Sequence, residues 1–187
     1  MEEEMKKCLE VLRTGGVILY PTDTVWGLGC DATNEAAVKK VYEIKKREDS
    51  KALLLLVDHI GKLQSYVDEI PALAFDIIEM SDKPITVIYS QGKNLAKNVL
   101  AEDGSIGIRV TNELFSKTLC ERFRRPIVST SANVSGEKTP HNFAQISDEI
   151  LKAVDYVVQY RQNDFTEASA SSIIKLGPGS YVKVIRE

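Results

Sequence analysis

The 187-residue chain reads as one α/β domain with a twisted, mostly mixed β-sheet and flanking helices, and three observations predict it. Eight short apolar runs have strand character, segments of helical period lie between several of them, and a hairpin signal joins the last two. The first strand is Val17–Tyr20. Ala37, Val41 and Ile44 then recur at helical spacing behind Thr33-Asn34, which predicts a helix from Asn34 to about Lys46. Leu53–Val57, Ile85–Tyr89, Ile106–Val110 and Ile127–Ser129 are the next strands. Leu73, Ile77 and Met80, then Leu114, Leu119 and Phe123, then Phe143, Ile146 and Ile150 mark further helices. Tyr156–Val158, Ser172–Leu176 and Tyr181–Arg186 complete the set, the last two linked by Gly177-Pro178-Gly179-Ser180. A hairpin among crossovers requires a sheet of mixed direction.

Size and composition bound the function. A globule of this length buries roughly 70% of its unfolded surface, so residues 1–187 form a single domain that needs no staples. The formal net charge of −3 argues against a general nucleic-acid coat, so any basic site is local. Cys8, Cys30 and Cys120 lack metal or disulfide spacing, and His59 and His141 stand alone, so no metal site is expected. The acidic start MEEEMKK is no signal peptide, and Ala52–Val57 is far shorter than the ~18 apolar residues of a membrane helix. The expectation is a soluble cytoplasmic protein without membrane association.

Two distant motifs carry chemistry. Lys45-Lys46-Arg47 closes a helix, supplying cations, and Ser129-Thr130-Ser131-Ala132-Asn133-Val134-Ser135-Gly136 leaves a strand, supplying small hydroxyls, an amide and backbone N–H groups. Together they suit a phosphate-bearing ligand. Each has a plainer reading: a solvated helix end favoured by the macrodipole, and turn chemistry capping the next helix. Ser129, Ser131 and Asn133 alternate and so face one side of an extended segment. Arg109 shares a strand face with Ser105 and side-chainless Gly107. Tyr20 to Gly29, YPTDTVWGLG, reads as a loop bringing hydroxyls and backbone near a ligand, or as a tight turn with Trp26 in the core. Gly27-x-Gly29-x-x-Ala32 formally matches a dinucleotide fingerprint, but six residues separate the strand end from Gly27 and Asp49 precedes the next strand. No P-loop and no Ser-His-Asp arrangement is readable, which leaves electrostatic positioning as the mode of any catalysis.

Taken in order, PTDTVWGLG, the helix ending IKKR, Lys51 before an apolar strand, GIRV, STSANVSG and Ser171-Ser172-Ile173-Ile174 resemble the YrdC-like family over about Val17 to Arg186. The resemblance implies a concave, basic cavity and threonylcarbamoyl-AMP synthesis from L-threonine, bicarbonate and ATP. Pyrophosphate is released, and the product passes to the tRNA threonylcarbamoyl transfer machinery for t6A modification. It implies a threonine amine that traps CO2 as a carbamate, whose oxygen attacks the α-phosphorus of ATP, with Mg2+ held mainly by phosphates. Carried over by motif, Lys45 and Arg47 would be catalytic, and Lys45, Arg47, Lys51, Arg109, Ser129, Ser131 and Asn133 would bind ATP. Thr22, Trp26, Arg47 and Ser171 would bind threonine. The alternative is an RNA-binding module with a basic cavity and no adenylation activity, whereas weak tRNA binding is a partner expectation of the synthase reading. Glu48, Ala52 and Thr111 stand where the family often has proline, and residues 159–165 are poor in glycine for that loop.

Overall fold

The computed structural model describes residues 1–47, 53–179 and 181–187. Lys51, Glu48, Ala52 and Ser180 lie outside the described residues. The first element, α1 (Glu2–Arg13), is one the sequence reading lacked. Its acidic first turn and terminal Arg13 complement the helix dipole, while Met5, Cys8 and Leu12 form the buried stripe. The run of glutamates draws attention away from that three-residue stripe.

Next come β1 (Ile18–Tyr20), β2 (Gly27–Gly29), α2 (Glu35–Lys45) and β3 (Leu54–Val57). Asn34 caps α2 by accepting from the Ala37 N–H at 3.1 Å, and Lys46 ends it in the left-handed conformation. β2 corrects the reading of YPTDTVWGLG as loop throughout: its last three residues are a central strand. Gly29 belongs there because a Cβ would sit 2.5 Å from the Tyr20 ring.

α3 (Leu63–Tyr66), α4 (Ala72–Met80), β4 (Ile85–Tyr89), β5 (Ile106–Val110), α5 (Leu114–Phe123) and β6 (Ile127–Ser131) follow. α4 forms where its period predicts, but Ala74 is its buried residue while Met80 is 82% exposed. The helix expected around Phe143, Ile146 and Ile150 is divided. A 3-10 turn at Phe143–Gln145 ends at extended Ile146, and α6 (Asp148–Ala153) starts afresh behind Ser147, whose hydroxyl accepts from the Ile150 N–H. β7 (Tyr156–Val157), β8 (Ser172–Gly177) and β9 (Tyr181–Arg186) finish the chain.

Among the described residues, nine strands form one sheet in the order β7-β1-β2-β6-β3-β5-β4-β8-β9. β1/β7, β3/β5 and β4/β8 are parallel and the other neighbours antiparallel, so the sheet is mixed as the hairpin required. The core is continuous, running from α1 through β1, β3 and β5 to α5. All three cysteines are buried and free within it.

Candidate active site

One sheet face, with the turns after β1 and β6, encloses a cavity of about 540 Å³. Thr24, Trp26 and Gly27 form one wall, Ser129, Thr130 and Ser131 the next, and Gly107, Thr86 and Ile173 part of the floor. Arg47, Arg109, Lys175 and Arg186 also line it, and no carboxylate does among the described residues.

The two motifs meet. Lys45, in the last turn of α2, donates from Nζ to the carbonyl oxygens of Ser131 at 2.6 Å and Asn133 at 2.8 Å. The Ser135 N–H returns a bond to the Lys45 carbonyl at 2.8 Å. Lys45 is only 3% exposed, and burial, aided by the nearby Arg47 charge, pushes its pKa down to about 8. It therefore braces the Ser-x-Asn turn from behind and is not in the cavity wall. Asn133 is also behind the wall: its amide donates to the Val134 and Glu137 carbonyls at 3.0 Å each, fixing the turn. Ser129 and Ser131 do reach the cavity. β6 continues through Ser131, two residues beyond its expected end, and so carries both serines on one face. Arg47 extends past α2 into the cavity, its pKa lowered by burial.

Arg109 is 2% exposed and lies at a second corner. Its Nη2 meets the Asp23 carboxylate at 3.0 Å and donates to the Thr24 hydroxyl at 3.1 Å. Burial raises the Asp23 pKa while the Arg109 charge opposes that rise. Thr22, the expected threonine contact, is 2% exposed and outside the cavity wall. Its hydroxyl donates to the Val25 carbonyl at 2.8 Å and accepts from the Thr24 N–H at 3.0 Å, so it shapes the loop that presents Thr24. Trp26 lies both in the core and on the cavity, tilted against Phe143 at 4.9 Å.

Ser171 shares a hydrogen bond of 2.8 Å with Thr86, and Arg186 donates from Nε to the Ser171 carbonyl at 2.8 Å. Sequence reasoning missed Thr24, Asp23, Lys175 and Arg186. Thr24 and Asp23 were within the quoted motif, but the last two are on strands that look like ordinary sheet, and only the pairing of β8 beside β4 brings them to the cavity.

Two of the departures noted in the sequence, Thr111 and the 159–165 segment, fall within the described residues. Thr111 uses the N–H that proline lacks to donate to the Val57 carbonyl at 3.0 Å, and its hydroxyl pairs with Ser116 at 2.8 Å. In the 159–165 segment Arg161 takes the left-handed conformation at φ 66°. Its guanidinium is held by Asp164 at 2.9 Å, by the Thr22 carbonyl at 3.3 Å and near Glu113 at 3.6 Å.

Fold and site together define an α/β protein whose mixed sheet floors a cavity lined by arginines and hydroxyls, with no acid in its wall among the described residues. The chain belongs to the Sua5/YciO/YrdC family, whose model, described as "Telomere recombination", matches residues 10–187. It is 40% identical over 150 residues to a threonylcarbamoyl-AMP synthase of Pseudoalteromonas translucida, covering 79% of this chain and 80% of that one. A protein of the same name from Psychromonas ingrahamii is 36% identical over 149 residues, covering 78% of each. Among solved structures, E. coli YciO superposes with a TM-score of 0.86 at 25% identity, covering 100% of this chain and 90% of its own. P. abyssi Sua5 complexed with L-threonine superposes with a TM-score of 0.88 at 22% identity, and this chain spans 54% of its length. No helix among the described residues is long and apolar enough to cross a membrane.

Proposed function

We propose that the chain is a threonylcarbamoyl-AMP synthase, condensing L-threonine, bicarbonate and ATP to threonylcarbamoyl-AMP and pyrophosphate in the cytoplasm. The observation that carries this reading is that Lys45 is bonded to the Ser-x-Asn turn while Arg47, Ser129 and Ser131 line one cavity, with no acid in its wall among the described residues. The curated relatives of that name and the threonine complex of Sua5 support it.

In the reaction, CO2 derived from bicarbonate is trapped by the neutral threonine amine, forming an N–C bond and releasing a proton. A carbamate oxygen then forms a bond to the α-phosphorus of ATP as the bond to the pyrophosphate oxygen breaks. Negative charge grows on the α-phosphoryl oxygens and on departing pyrophosphate. Arg47, with the Ser129 and Ser131 hydroxyls, faces that charge, and a preorganised donor of this kind contributes about 2–4 kcal/mol. Lys45 and Asn133 hold the turn in place, and Lys45 adds a positive charge directly behind it. Arg109, oriented by Asp23, and Ser171, beside Arg186, suit the threonine carboxylate and hydroxyl. Lys51 takes a further phosphate-binding role. Mg2+ would enter with ATP, held mainly by phosphate oxygens and water. The product would pass to the tRNA threonylcarbamoyl transfer machinery.

The test is pyrophosphate release from ATP, Mg2+, bicarbonate and threonine. Wild-type protein is expected to release it only when threonine is present, and Arg47→Ala to reduce it about a hundredfold or more. Release no greater than in the variant removes the proposal.

A further inference from the structure

Among the described residues, four that are not glycine take positive φ: Lys46, Asn94, Arg124 and Arg161. Lys46 and Arg124 end α2 and α5, where the left-handed conformation is a common stop, and asparagine tolerates it more readily than other side chains. Neither reason covers Arg161. It lies at φ 66° in the turn after β7, residues 159–165 hold no glycine to take the position, and a residue stays so strained only where its surroundings over-determine it.

Those surroundings are fixed on both sides. Tyr160 stacks on buried Phe115 at 5.5 Å, and the Gln162 amide donates to the Val158 carbonyl at 2.8 Å, so the turn is seated against α5. Arg161 Nε and Nη2 donate to Asp164 Oδ2 at 3.2 and 2.9 Å. Nη1 reaches the other way, donating to the Thr22 carbonyl at 3.3 Å and lying 3.6 Å from Glu113 Oε1. Glu113 is itself anchored, since its carboxylate accepts from the Phe115 and Ser116 N–H groups at 3.1 and 2.7 Å and caps α5. One guanidinium thus ties the segment leading to Ser171 and the loop after β1 to a fixed helix end.

The bonds continue from Thr22 to the cavity. Its hydroxyl accepts from the Thr24 N–H at 3.0 Å, and the Thr24 hydroxyl accepts from Arg109 Nη2 at 3.1 Å. Arg161 does not line the 540 Å³ cavity. With Asp164, Thr22, Thr24 and Trp26 it borders a separate gap of about 10 Å³, room for one water and for no substrate. Any effect of Arg161 on a ligand is therefore indirect.

We propose that Arg161 is a positioning residue for the threonine end of the cavity: through the Thr22 carbonyl it locks the Thr22–Thr24 loop, and so fixes the Thr24 hydroxyl and the Arg109 guanidinium bonded to it. The inference rests on the synthase reading, which gives Arg109 the threonine carboxylate. Lysine cannot replace the lock fully, because a single ammonium does not span Asp164 and the Thr22 carbonyl as a planar fork does.

Arg161→Gly is the sharpest variant, since glycine takes φ 66° without strain and removes the lock while leaving the turn its shape. Trp26, the sole tryptophan, follows in the same loop and is 6% exposed, so acrylamide quenching of its fluorescence reports the loop directly. Arg161→Gly is expected to melt close to wild type, to be quenched severalfold more strongly, and to raise the threonine KM about tenfold while kcat and the ATP KM stay within about twofold. Arg161→Lys should fall between the two. In an Asp23→Asn background, where Arg109 is already released, Arg161→Gly should add little to the threonine KM, whereas a merely structural role would add in full. A threonine KM unchanged by Arg161→Gly, a rise shared equally by ATP, or full additivity with Asp23→Asn overturns the positioning role and leaves the synthase reading standing. If wild type binds threonine in calorimetry yet releases no pyrophosphate, the synthase reading falls, and the threonine Kd replaces KM in the same comparison. Absence of threonine binding by wild type removes both.

Discussion

Lys45 and Ser131, 86 positions apart, are joined by a hydrogen bond of 2.6 Å from the ammonium to the backbone carbonyl. The contact converts a helix end and a strand exit into one rigid corner. Lys45→Met keeps the stem but leaves the Ser131 and Asn133 carbonyls without their buried donor, at a cost of about 1–3 kcal/mol. Urea unfolding is expected to show that loss, and pyrophosphate release per folded molecule is expected to fall as well. A variant as stable and active as wild type would remove the bracing role.

The same lysine predicts a pH dependence. Its folded pKa of about 8 lies below the ordinary 10.5, so between these values the unfolded chain holds more protons and Lys45 makes stability rise with pH. Below about 8 both states are charged and the burial penalty is constant. ATP favours the ammonium, so its affinity is expected to fall as pH rises through about 8, with proton uptake on binding. Calorimetry in two buffers of different ionisation enthalpy checks this. Lys45→Met should lose both the proton uptake and its share of the stability slope.

Arg109 and Asp23 form the most enclosed ion pair named here, with side chains 3% and 12% exposed. Asp23→Ala strands a buried guanidinium and is expected to cost about 3–5 kcal/mol. Asp23→Asn keeps the volume and one acceptor, so it should fold better yet raise the threonine KM, because Arg109 would no longer be held by charge. Steady-state kinetics with threonine varied, beside thermal unfolding, separates the two effects.

What the sequence made legible follows from local periodicity. The helix ending at Lys45 and the strands around Leu55, Val87 and Ile108 declare themselves because each has its own apolar pattern. β2 is only three residues, two of them glycine, and exists because β1 and β6 pair with it on either side. Propensity cannot reveal such a strand. The site divides in the same way. Arg47, Ser129 and Ser131 stood out as dense local motifs, whereas Lys175 reaches the cavity through strand register alone. Thr22, Lys45 and Asn133 belong to motifs that meet the cavity, but their side chains are taken up by the backbone around them.

Gly29 separates fold from function. A Cβ there would lie 2.5 Å from Tyr20 Cε1 and 3.0 Å from the Val128 carbonyl, neither able to withdraw freely inside the sheet. Gly29→Ala is expected to destabilise by about 1–3 kcal/mol through overpacking. Gly29 is not in the cavity wall, so activity per folded molecule should be unchanged below the new melting temperature. Circular dichroism melts and an assay well below the transition test both halves.

Arg186 gives the sharpest check on how the cavity divides its charge. Its Nε is anchored on the Ser171 carbonyl at 2.8 Å, which aims the remaining N–H groups, and its pKa is lowered first by burial and then by Arg109. Two guanidinium groups that repel across a cavity gain when an anion enters between them, so each makes the other's ligand bind more tightly. Arg186→Lys keeps the charge but loses the fork, and is expected to weaken anion binding by about tenfold. Arg186→Ala should weaken it further and also loses the hydrogen bond to the Ser171 carbonyl. The ligand whose KM moves identifies the anion between Arg109 and Arg186: a rise for threonine alone assigns it the carboxylate, a rise for ATP alone the phosphates. Unchanged KM values for both would show that Arg186 only ties β9 to the sheet.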